Sequence, residues 1–345
     1  MLQRFKSKRL RRLITGGPSA DTVILMYHRI GDAWTDPWEV TVSPAHFREH
    51  LAVLQRGYQL QAFSPWMQER ATSDNGRTVL ITFDDGYLDN YTTAMPLLEQ
   101  YGWPATFYIP TQNITDGELF WWEALDYLFW HRRVAVKQWA PVLKAAYLPD
   151  TDDVCFDHAD HPLESCWSAN TMPPPTGYCR FYLEISAYIK AQSRDRQQTI
   201  ARQLAALDPD GAVDAQNRFK KMSSSELRAL CQRGFEPGAH SVHHPALGLQ
   251  EVPVQREEIM GSKARLEALT GRPVTTFAYP HGHYSATTKA LVQEAGFSTA
   301  CTTAGGAVFP DSDPLCLPRL WVKDWPAEIF QQQLDQYFGH KKSVR

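Results

Sequence analysis

The sequence predicts an α/β fold: a closed or nearly closed (β/α) barrel interrupted by a helical insertion. Three observations lead there. About eight short apolar strands alternate with amphipathic helices, acidic and histidine motifs follow several of those strands directly, and one interior stretch breaks the rhythm.

The strands are read from short runs rich in β-branched and aromatic residues, at Thr22–Tyr27, Tyr58–Phe63, Thr78–Phe83, Ala105–Ile109, Phe235–Ala239, Thr275–Tyr279, Phe297–Thr302 and Leu315–Val322. Ser43-Pro44 opens a helix reaching about Gln55, Ser223 to Glu226 opens a second, and Ser285 a third ending at Gly296. Residues 114–222 depart from this alternation. They hold an aromatic helix-like piece (Phe120 to Trp130), an acidic patch (Asp150, Asp152, Asp153, Asp157, Asp160), Pro173-Pro174-Pro175 and a polar helix near 181–206. The expected organisation is a basic N-terminal tail over 1–20, a main domain over 21–330 with its insertion at 114–222, and a C-terminal tail over 331–345. The aromatic run reads as the packed face of the insertion, with sugar stacking as the sharper alternative.

Hydrophobic content of 43%, with 21% charged residues, fits a packed globular chain and excludes general disorder. No apolar run approaches the roughly 18 residues of a membrane span. Residues 1–14 carry six Lys or Arg and no acid, which leaves −9 for the remaining 331 residues. Nucleic acid is therefore not expected as a partner. Thr15-Gly16-Gly17-Pro18 stands where a secretory signal needs its apolar stretch, so a cytoplasmic location is expected. The six cysteines show no CxxC spacing and read as free thiols.

Three strand-end motifs carry chemistry. Asp84 and Asp85 follow the strand Thr78–Phe83; adjacent carboxylates there point different ways, so one can bind a metal while the other faces a substrate. His240 and His244 follow Phe235–Ala239 and, four residues apart, can share one side of a helical turn and offer two imidazoles to one ion. His243 falls out of that register. Two histidines and Asp85 leave open positions for water, the composition of a catalytic metal site. The third motif, Thr276 to Gly282, ends in a Pro–Gly turn whose backbone N–H groups can face the same opening.

In this order, Thr82–Tyr87, His240–Pro245 and Phe277–Gly282 resemble the TFDDG, H-S/T-x-x-H-P and FAYPxG motifs of the polysaccharide deacetylase family. Met26 to Arg29 and Leu317 to Leu320 extend the resemblance over about 22–325, apart from the insertion. The resemblance implies a distorted (β/α) barrel and metal-dependent removal of an N-acetyl group from an amino sugar, with a divalent metal, zinc foremost. It assigns Asp84 as general base, Asp85, His240 and His244 as metal ligands, and the Tyr279 backbone N–H as oxyanion donor. It also points to members tied to extracellular-polysaccharide or O-antigen synthesis, hence to a glycan or a lipid-linked precursor as substrate.

Two family features are missing. The third motif has no Arg to orient the base, and the last strand has no His to protonate the leaving amine. Arg319 and His28 are the expected replacements, set against plain readings as a strand-end ion pair and a hydrogen-bonded histidine. Deformylases and other hydrolases of non-peptide C–N bonds share the fold, and a silent carbohydrate-binding module is the alternative outside catalysis. Leu2, Phe5, Leu10, Leu13 and Ile14 nearly share one helical side among six cations, so residues 1–14 are expected either to be a solvated tail or to touch an anionic membrane surface weakly.

Overall fold

The computed structural model describes residues 21–32, 35–69, 77–112, 114, 118–134, 139, 164 and 166–339. The basic segment 1–14 and the acidic patch at 150–160 lie outside the described residues.

The described strands run in chain order as β1 (Thr22–Tyr27), β2 (Arg29–Ile30), β3 (Thr41–Val42), β4 (Gln59–Leu60), β5 (Thr78–Phe83), β6 (Thr106–Ile109), β7 (Glu236–Ala239), β8 (Thr276–Ala278), β9 (Thr299–Gly305) and β10 (Leu317–Trp321). Among the described residues, seven of them close a parallel ring in the order β1-β10-β9-β8-β7-β6-β5 and back to β1. This is the distorted (β/α) barrel expected. Its strands are buried on both faces, which is why β1 reads as the unbroken apolar run TVILMY. Inward residues such as Ile24, Leu80, Tyr108 and Leu317 fill the barrel, while Val23, Leu25, Ile81 and Phe83 pack outward under the helices.

The expectation of a six-residue strand at Tyr58–Phe63 fails. β1 pairs with β5 along its whole length, from Thr22↔Thr78 to Tyr27↔Phe83, so β4 is left outside the ring, touching β5 only at Thr78 and Val79. Phe63 instead starts a helix, Phe63–Glu69. The carboxylate of Glu236 explains this: it accepts from the Phe63 N–H at 2.9 Å and from Thr106 Oγ1 at 2.8 Å, holding that helix start against the barrel.

The predicted helix starts are capped as their sequences suggest. Ser43, Ser223 and Ser285 each accept a backbone N–H from three residues on, opening Pro44–Leu54, Ser224–Gln232 and Ala286–Glu294. The polar helix expected near 181–206 is two helices, Gly177–Lys190 and Arg194–Ala205, broken where Ser193 caps the second. The aromatic run forms the helix Trp121–Asp126 and a wider turn, Tyr127–Arg132; Phe129, Trp130, Tyr178 and Tyr182 make a separate core for the insertion. Residues 331–339, expected in a C-terminal tail, belong to the helix Ala327–Gly339, whose Phe330, Leu334 and Phe338 complete the main core. Cys179, Cys231, Cys301 and Cys316 are free thiols. No helix among the described residues is long and apolar enough to cross a membrane.

Candidate metal centre and active site

The ends of β1, β5, β7, β8 and β10 meet the insertion around a cavity of about 930 Å³ lined by His28, Asp84, Asp85, His240, His244 and His281. Four residues at this end hold a left-handed backbone although none is glycine: Asp85 (φ 71°), Ser241 (φ 62°), His244 (φ 60°) and His281 (φ 55°). Such conformations are costly and persist where the surroundings fix them, which marks this rim as built for function.

Asp85, His240 and His244 are buried, and one ligand atom from each lies within 4.8 Å of the others. The two Nε2 atoms are 3.0 Å apart, and Asp85 Oδ1 is 3.2 Å from His244 Nε2 and 3.6 Å from His240 Nε2. His240 Nδ1 donates to the Ala278 carbonyl at 2.8 Å, which leaves its Nε2 lone pair facing the cluster. Asp85 Oδ1 is buried without a hydrogen-bond partner. Two imidazole nitrogens and an orphaned carboxylate oxygen turn toward one point, and their donor chemistry fits a divalent transition metal.

The histidine pair meets for a different reason from the one expected. Residues 240–246 are not helical. A tight turn brings His244 back, with its N–H donating to Ser241 Oγ at 2.9 Å and both residues in the left-handed region. His243 points elsewhere: its Nδ1 is 2.6 Å from Glu258, whose other oxygen accepts the N–H groups of Val242 and His243 at 2.9 and 2.8 Å. Burial pushes the Glu258 carboxyl up, but these bonds and the imidazole outweigh it and leave it below its ordinary value. Burial holds His244 below the usual imidazole range, so it stays neutral and able to ligate. Asp85 sits well below the carboxylate range because His244 and His240 outweigh its burial.

Asp84 lines the same cavity as the cluster and is held by Arg319. The guanidinium donates from Nη1 to Oδ1 at 2.8 Å and from Nη2 to Oδ2 at 2.7 Å, and its Nε donates to the Thr302 carbonyl at 2.9 Å. Both side chains are buried. Burial raises the Asp84 carboxyl, yet the guanidinium, with His240 and His28, brings it below its ordinary value. His28 lines the same cavity; its Nδ1 is buried without a partner, and its ring lies 5.6 Å from that of Trp321.

Tyr279 does not occupy the position expected of it. Its N–H donates to the Cys301 carbonyl at 3.0 Å, because the β8–β9 ladder runs one residue past the strand. Its hydroxyl is likewise taken, by the Leu315 carbonyl at 3.0 Å. His281, two residues on, offers what Tyr279 does not: a backbone N–H that makes no hydrogen bond among the described residues, on a cavity-lining turn. Gly282 lets that turn form, since a Cβ there would stand 2.0 Å from Thr303 Oγ1 and 2.9 Å from the Thr303 nitrogen.

The insertion is fastened to the loop behind Asp85. Met222 N–H donates to the Gly86 carbonyl at 2.9 Å and Leu88 N–H to the Lys220 carbonyl at 2.8 Å. Beneath them Lys221 pairs with Glu123, both buried, and its ammonium lies 3.5 Å from the Tyr87 ring centroid. Glu123 and Lys221 escaped the sequence reading. Only the Glu at the third position of a helix start hinted at the first, and nothing local marked the second.

A profile of the polysaccharide deacetylase family matches residues 71–136 and 200–300, and so takes in Asp84, Asp85, His240, His244 and His281. The chain carries a polysaccharide deacetylase domain. Among relatives, YxkH of Bacillus subtilis (strain 168), named for this family, is 38% identical over 96 residues, 26% of this chain and 32% of that protein. The poly-beta-1,6-N-acetyl-D-glucosamine N-deacetylase of Escherichia coli K12 is 31% identical over 96 residues, again 26% of this chain but 14% of that protein. The matched part thus spans about a third or less of these relatives. The Streptococcus pyogenes deacetylase PplD, solved with acetate, superposes with a TM-score of 0.55 at 19% identity, over 92% of this chain and 99% of that one, and shares the polysaccharide deacetylase barrel.

Proposed function

We propose that this polysaccharide deacetylase removes the N-acetyl group from an amino sugar in a glycan or lipid-linked glycan precursor, using a metal held by Asp85, His240 and His244. One observation carries the reading: a buried carboxylate–imidazole–imidazole cluster stands beside a second carboxylate, Asp84, that Arg319 keeps ionised and oriented. Asp85, His240 and His244 would hold a divalent cation, for which two imidazoles and one carboxylate favour zinc, and it would supply Lewis acidity toward an amide carbonyl and a water.

The chain's own residues supply the rest. Asp84 accepts the proton of the attacking water, and Arg319 fixes its two oxygens so that no reorientation is needed. The His281 N–H meets the developing oxyanion in place of the Tyr279 N–H. His28, at the end of β1, gives a proton to the leaving amine, so that acetate and a free amino sugar result. The test is to incubate metal-loaded protein with matched N-acetyl and N-formyl amino sugars. Acetate with an equal amount of free amine supports the reading, whereas formate alone makes the chain a deformylase.

We place the protein in the cytoplasm, with residues 1–14 giving weak contact to an anionic membrane face. The six cations of that segment support this, each worth about 1 kcal/mol near such a surface. Equal sedimentation with anionic liposomes by the full chain and by one lacking residues 1–14 counts against it.

A further inference from the structure

The helix Gly177–Lys190 has two faces. Tyr178, Phe181, Tyr182, Ile185 and Ile189 pack into the insertion's own core, while Leu183, Ser186, Ala187 and Lys190, at helical spacing, line the cavity that holds the metal centre. Ser186 and Ala187 are small, and Lys190 ends the stripe with a half-buried ammonium that makes no ion pair among the described residues. Apart from Asp85, which belongs to the metal cluster, and Asp32, the cavity's carboxylates are engaged. Asp84 holds Arg319, Asp36 accepts the Thr41 N–H at 2.7 Å, Asp126 accepts the Tyr182 hydroxyl, and Asp214 accepts the Tyr127 hydroxyl at 3.0 Å; Asp32 is exposed. His281 lines the same cavity and has a buried ring nitrogen, Nε2, without a partner. An ammonium without an ion pair, in one cavity with an imidazole that can turn a donor toward it, suits an anionic oxygen group.

We infer that Lys190, with His281 in the same cavity, is a subsite for an anionic oxygen group of the substrate, a carboxylate or a phosphate carried by the sugar whose acetamide reaches the metal centre. This rests on the deacetylase reading and adds what that reading leaves open, the charge of the substrate. Lysine suits the task as a compact point charge on a flexible stem, able to meet either group.

The experiment compares N-acetylglucosamine carrying a carboxylate, the same sugar carrying a phosphate, and a neutral methyl glycoside, with the full metal-loaded chain and its Lys190→Met, Lys190→Arg and Lys190→Glu variants. The wild type is expected to favour an anionic substrate in kcat/KM, Lys190→Met to lose about tenfold or more on it with little change on the neutral one, and Lys190→Arg to keep the preference. Which anionic arm responds separates carboxylate from phosphate. Equal loss on all three substrates, or no loss on any, overturns the subsite. Binding of the same ligands by calorimetry gives a readout without turnover: if no acetate is released, the deacetylase reading fails, while the subsite stands or falls on whether Lys190→Met and Lys190→Glu weaken anion binding.

Discussion

Arg319, on β10, grips both carboxylate oxygens of Asp84, at the end of β5, with two nitrogens 2.8 and 2.7 Å away and no solvent between them. The pair spans the barrel interior, and under the proposed mechanism it would orient the base from the last strand. Lysine cannot reproduce the two parallel bonds. Arg319→Lys is therefore expected to keep its metal and lose about 10–100-fold in kcat, the scale of a roughly 1 Å misplacement of a catalytic group. The acid limb of kcat/KM should also move to higher pH, because the ammonium cannot make both of the charge-assisted hydrogen bonds that help hold the proton affinity of Asp84 down. An unchanged limb would make the pair structural only.

The metal should depend on His244 and not on His243. Metal content after dialysis is expected to fall sharply for His244→Ala and to stay near one equivalent for His243→Ala, whose side chain bonds Glu258 and not the cluster. Equal loss in both variants contradicts the ligand set.

Lys221 and Glu123 form a buried pair whose members are individually indispensable. Lys221→Met should cost about 3–5 kcal/mol in denaturant unfolding by leaving a carboxylate without its partner, and adding Glu123→Gln should restore part of that loss. Additive losses would mean that the two side chains do not interact.

The barrel was legible in the sequence because its strands, covered on both faces, are unbroken apolar runs, and because serine caps mark three of the surrounding helices. Asp84, Asp85, His240 and His244 were legible as strand-end residues. The route to the histidine pair was not, since a turn built on left-handed Ser241 and His244 has no signature in residue type. Tyr279 misled because strand pairing past Ala278, which consumes its N–H, depends on the register of β9. Lys221 was invisible for a similar reason, as its partner Glu123 lies 98 residues away.

His50 gives the fold a pH dependence separate from the site. It is buried, accepts from the Tyr27 hydroxyl at its Nδ1 (3.1 Å), donates from Nε2 to the Trp325 carbonyl (2.7 Å), and burial lowers its pKa to about 4. Between pH 6.5 and about 4 the unfolded chain takes up a proton that the folded one refuses. Stability from this group is thus full above pH 6.5 and declines as pH falls toward 4, by about 3 kcal/mol in all. Denaturant midpoints across this range should fall for the wild type and fall less for His50→Gln; parallel curves would remove His50 as the cause.

Acetate release measured on one N-acetylated amino sugar tests the central claim most directly, with metal-loaded protein, chelator-stripped protein, stripped protein resupplied with zinc, and Asp84→Asn loaded with metal. Release is expected from the first and third, none from the second, and a loss of about 10²–10⁴-fold or more in Asp84→Asn with its metal still bound. Release that survives stripping, or a near-normal kcat in Asp84→Asn, would contradict a metal-dependent hydrolysis with Asp84 as its base.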